Sequence, residues 1–75
     1  MTDEDNYIGE MVKRRRLMAG LTLCELSVIS GVSASHLGRM ERGECFPSTR
    51  ILLKIAKPLD FGESELFTLV GYLLA

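Results

Sequence analysis

The sequence has no tryptophan, one histidine, two cysteines and two prolines. The lone His36 has no acid or nucleophile beside it at a catalytic spacing, so enzyme chemistry finds no support. Cys24 and Cys45 form no CxxC pair, and with His36 they fall one ligand short of a zinc site. They read as reduced, half-buried small hydrophobes of a cytoplasmic protein, and no metal or cofactor is expected. No apolar run approaches the roughly 20 residues of a membrane span. The start, MTDEDNY, is acidic and polar, unlike a secretory signal. Strict apolar–polar alternation is missing, which leaves no half-buried strand to propose. Glycine and proline are spread along the chain, so no linker, repeat or low-complexity block stands out.

What is present is ordinary globular material, 47% apolar and 25% charged in 75 residues. That suits one small domain, 1–75, near the lower limit for a self-sufficient core. The net charge of −1 conceals an uneven distribution. Residues 6–59 hold all nine Lys and Arg but only four acids, Glu10, Glu25, Glu41 and Glu44. The other six acids lie at the ends: Asp3, Glu4 and Asp5 in a tail, 1–5, expected to be disordered, then Asp60, Glu63 and Glu65. A basic middle is compatible with phosphate binding.

Apolar residues recur at spacings of three and four, which predicts an all-α chain of five helices. The first runs from Asn6 to Ala19 and stops at Gly20. Thr22 and Glu25 form a capping box for the second, with Leu21 and Leu26 as its hydrophobic staple, and Gly31 ends it. Ser33 caps the third, Val32 staples to Leu37, and Gly43 closes it. Pro47 and Ser48 set up the fourth, which Pro58 ends or kinks. The fifth, 62–75, starts near Gly62 with Glu63 and Glu65 in its first turn. Its Phe67, Leu69, Val70, Tyr72, Leu73 and Leu74 exceed what one packing face can hide. A dimer, or a following segment of a longer protein, is expected to cover them.

The second and third helices meet through Gly31-Val32-Ser33, a turn too tight for an antiparallel pair. Leu26, Val32, Leu37 and Met40 fill the angle, and Ser27 is small where the helices approach. Two short helices crossing steeply at a glycine turn make a helix-turn-helix, here residues 22–42.

The residues that build it also carry a resemblance. Residues 16–43, RLMAGLTLCELSVISGVSASHLGRMERG, resemble the helix-turn-helix domains of lambda and 434 repressors and the related XRE regulators. The likeness continues through Pro47, LLKIAKPL and ESELF, and covers roughly residues 7–70. It implies a compact five-helix lambda-repressor-like fold and a DNA-binding transcriptional regulator, a repressor, whose third helix enters the major groove. By family position Ser33, Ala34, Ser35, His36 and Arg39 would face bases. Arg39 is the strongest of these, because a guanidinium pairs bidentately with guanine. Lys13, Arg14, Thr22, Leu23, Gly38, Arg42 and Gly43 would lie against phosphates, several through backbone amides. Arg16 and Glu41 would form a partly buried ion pair joining the first helix to the third. Partners would be palindromic double-stranded DNA and a second copy of the chain. Leu23 and Ala34 depart from the polar residues usual at those places, and Pro58 is expected to shorten the fourth helix. The competing reading is a protein-interaction or antitoxin-type module that keeps the fold with little independent DNA binding.

Overall fold

The computed structural model describes residues 7–74; the acidic 1–5 segment, Asn6 and Ala75 lie outside them. Five helices follow in order among the described residues: α1 (Tyr7–Met18), α2 (Leu23–Ser30), α3 (Ala34–Glu41), α4 (Thr49–Ala56) and α5 (Glu63–Leu74). There is no strand among them, so the chain is all-α. None of the helices is long and apolar enough to cross a membrane.

Local chemistry sets the breaks. Thr22 Oγ1 accepts from Glu25 N at 3.0 Å and Glu25 Oε1 accepts from Thr22 N at 2.9 Å, closing a reciprocal capping box at the start of α2. Ser33 and Ser48 cap α3 and α4, their hydroxyls accepting from His36 N and Ile51 N. Gly31 ends α2 at φ 77°, left-handed backbone that a residue with a Cβ adopts only at a cost. That single residue turns the chain from α2 into α3 through Val32, which is itself buried.

The fourth helix stops at Ala56, two residues before Pro58, as its missing N–H and ring clash require. The chain then reverses at Asp60, a non-glycine residue with φ 58°, where Phe61 N donates to Ala56 O at 2.9 Å. The sequence reading did not single out this closure, although aspartate is among the few non-glycine residues enriched in left-handed backbone.

The core draws on every helix. Ile8 and Val12 of α1, Leu26 of α2, Leu37 and Met40 of α3, Leu52 and Ile55 of α4 and Leu69 of α5 are all nearly inaccessible. Both staple partners of α2 and α3, Leu21 with Leu26 and Val32 with Leu37, belong to this one cluster. The third helix packs against α1 and α2, so its orientation is fixed from two sides.

Candidate nucleic-acid interface

The third helix has two unlike faces. Leu37, Gly38, Met40 and Glu41 are buried, whereas Ser35 and Arg39 are exposed. Ser35 and Arg39 are four residues apart and therefore neighbours on one stripe. Ala34 and His36 flank that stripe, half-buried. Ser33 is exposed, with its hydroxyl oxygen engaged as the N-cap. His36 Nδ1 lies 3.9 Å from Cys45 Sγ, which turns the ring toward the α3–α4 loop.

An ion pair anchors the buried face. Arg16 Nε donates to Glu41 Oε2 at 2.7 Å and Nη2 to Oε1 at 3.0 Å, a two-point fork between α1 and α3. Its remaining nitrogen, Nη1, donates to Leu21 O at 2.8 Å, just before α2. One guanidinium thus ties three elements together. The hydrogen bond to Glu41 raises the Arg16 pKa above its ordinary value, with burial working in the opposite direction.

The basic run of α1 splits by helical phase. Lys13 and Arg14 are exposed, and with Glu10, Leu17 and Glu41 they line a shallow groove. Arg15, one step along, is a brace to α5. Its Nη1 and Nη2 donate to Glu65 at 3.0 and 2.8 Å, Nη2 also donates to Asp60 O, and its guanidinium stands 4.8 Å from the Phe61 ring centre. The sequence reading missed this role, although an Arg beside two candidate solvent cations with Glu65 far along the chain gave only a faint signal. Glu65 also accepts from Gly62 N at 3.1 Å, capping the start of α5.

The residues assigned to phosphates lie at two helix ends. At the start of α2, Thr22 N is taken up by Glu25, and Leu23 is half-buried against the core. Of these two residues, Leu23 keeps a backbone N–H suited to an anion, a first-turn donor without an intrahelical acceptor. At the end of α3, Arg42 is exposed and Gly43 turns the chain with φ 78°. Gly38 is buried, and its small size serves packing: a Cβ there would stand 3.1 Å from Arg42 Nη1 and 3.6 Å from Leu23 Cδ1. Sequence reasoning also missed the side-chain role of Glu44, whose Oε2 accepts from Arg42 Nε at 2.6 Å.

Comparison with known proteins agrees with this architecture. Residues 8–69 match the family model for a helix-turn-helix domain. The chain belongs to the helix-turn-helix domain family. It is 38% identical over 61 residues to the HTH-type transcriptional regulator SlrR of Bacillus subtilis, covering 80% of this chain and 40% of that protein. Two uncharacterized HTH-type transcriptional regulators of Mycobacterium tuberculosis, MT0491 and Rv0474, are each 34% identical over 65 residues, covering 87% of this chain and 46% of theirs. The chain thus spans less than half the length of these relatives. No solved structure matches it at comparable stringency.

Proposed function

We propose that this helix-turn-helix domain binds double-stranded DNA by placing α3 in the major groove and acts as a transcriptional repressor in the cytoplasm. One observation carries the reading: α3 is locked from behind by Leu37, Met40 and the Arg16–Glu41 fork, yet its Ser35–Arg39 stripe packs against nothing in the core. A helix held that firmly with a small polar face outward suits insertion between phosphate walls. The relatives' names, HTH-type transcriptional regulators, support the same role.

In this reading Arg39 reads guanine, Ser35 and Ser33 contact base edges or sugars, and Ala34 meets a thymine methyl. His36 reaches a base or phosphate at the rim. Lys13, Arg14, Arg42 and the first-turn backbone amide of Leu23 set the register on phosphates, whereas the amides of Thr22 and Gly43 are already bonded to Glu25 and Met40 and Gly38 serves packing. With few long side chains on the stripe, part of the specificity comes from DNA shape.

A homodimer on a palindromic site completes the proposal. Leu53, Leu66, Phe67 and Val70 line an apolar groove between α4 and α5, with Phe67 77% exposed. A second copy seated there would present two α3 helices about 34 Å apart, one turn of duplex. Phe67→Glu is then expected to abolish dimerisation on DNA, read by light scattering with and without duplex.

Selection of bound sequences from a random duplex pool tests the whole reading. The expected product is a two-fold-symmetric motif that loses a guanine preference in Arg39→Ala, at a discrimination of about 1–3 kcal/mol. Failure to bind any duplex even at low salt would overturn it and leave a protein-interaction module on the same fold.

A further inference from the structure

We propose that Glu44 is a built-in competitor for DNA phosphate, holding the Arg42 guanidinium with its own carboxylate until a duplex displaces it. This rests on the DNA-binding reading above and names a residue that sets its strength.

The chain path creates the contact. Past α3, Gly43 N donates to Met40 O at 3.1 Å and Glu44 N donates to Arg39 O at 2.9 Å. This is the paired closure that left-handed backbone at Gly43 permits. It folds residue 44 back over the last turn of α3, where its carboxylate meets Arg42 Nε at 2.6 Å. The pair is open to solvent, with side-chain exposures of 59% and 50%, so neither partner is needed by the core.

Arg42 is also placed for an external anion. Its Nη1 and Leu23 Cδ1 both lie over the missing Cβ of Gly38, so the guanidinium stands beside the first residue of α2. There the capping box uses the amides of Thr22 and Glu25, which leaves those of Leu23 and Cys24 as first-turn donors without an intrahelical acceptor. A cation next to a helix N-terminus favours phosphate. Glu44 already occupies the cation's Nε, and an ionised carboxylate beside a phosphate is repulsive. The Arg42 guanidinium in turn holds the Glu44 carboxyl below the usual carboxylate range. One acid therefore restrains a cation placed for phosphate.

The test is a charge cycle on the full chain. Wild type, Glu44→Gln, Arg42→Gln and the double variant are titrated against a generic duplex by fluorescence anisotropy across a salt series. Cooperative thermal melts within a few degrees of wild type, roughly the effect of a surface pair, serve as the folding control. Glu44→Gln is expected to tighten binding about two- to fivefold at low salt and to steepen the log–log salt slope by about 0.9, one more phosphate engaged. In the Arg42→Gln background the same change is expected to have little effect, because the competition has lost its object. An equal gain in both backgrounds overturns the proposal, since Glu44 would then act only as a diffuse negative charge. Wild-type binding with no gain in Glu44→Gln overturns it too. If no variant binds duplex at low salt, the DNA reading falls, and this proposal with it.

Discussion

The two ion pairs of α3 have the same chemistry and almost the same length, 2.7 Å for Arg16–Glu41 and 2.6 Å for Arg42–Glu44. Their settings differ. The first spans 25 residues of sequence and retains side-chain exposures of only 10% and 5%. The second joins near neighbours, half in water. A buried charge that loses its partner has nowhere to be solvated, whereas an exposed one is rehydrated at once. Distance alone therefore says little about what an ion pair does. The inner pair orients α3; the outer pair, which starts one residue later at the helix C-cap, stays open to solvent.

The comparison would break most visibly at Glu41. Glu41→Gln leaves Arg16 buried without its counter-charge and is expected to cost about 3–5 kcal/mol in urea unfolding. Replacing both partners by apolar residues, Arg16→Met with Glu41→Leu, is expected to recover most of that loss. An unchanged unfolding midpoint in Glu41→Gln would show that the burial of the fork carries no energetic weight. A smaller effect is expected at Gly43, the hinge between the two partners of the outer pair. Gly43→Ala must hold φ near 78° with a Cβ, at about 1–2 kcal/mol, visible as a lower melting temperature.

The smallest effect on stability is expected at Glu44 itself. Glu44→Gln is expected to lower the melting temperature at neutral pH only slightly. Because its folded-state pKa is lowered, chiefly by the hydrogen bond from Arg42, any stabilisation it gives is present above the ordinary carboxylate pKa. That contribution disappears as pH falls through the lowered value. Wild type and Glu44→Gln are thus expected to converge in acid unfolding curves, and divergence toward low pH would contradict the assigned sign.

Much of this architecture was legible in the residues. The Thr22–Glu25 box, the serine caps and the breaks at Gly31 and Gly43 are local rules that tertiary packing had no reason to override. Arg16 and Glu41, paired by family resemblance, do meet in the structure. Three features were hidden for definite reasons. Which of Lys13, Arg14 and Arg15 turns inward depends on helical phase to within one residue, or about 100°, finer than a periodicity fixes. The end of α4 relies on Asp60 in a backbone region most residues avoid. Residues two apart do not face each other on a helix, so the Arg42–Glu44 contact becomes visible only once Gly43 has reversed the chain. The site was legible as a helix face, while the loop that folds back against it was not.

The division of α3 into a packed side and an unpacked side also bears on how the domain can change over generations. Ser35 and Arg39 take no part in the core cluster or in the Arg16 fork, so substitutions there meet little selection for folding. If α3 reads DNA as proposed, a mutational scan of it would sort into two classes, one governed by expression level and one by the sequence bound. New binding preferences would then be reachable by single steps through well-folded intermediates, which is the condition under which one scaffold can diversify into many regulators.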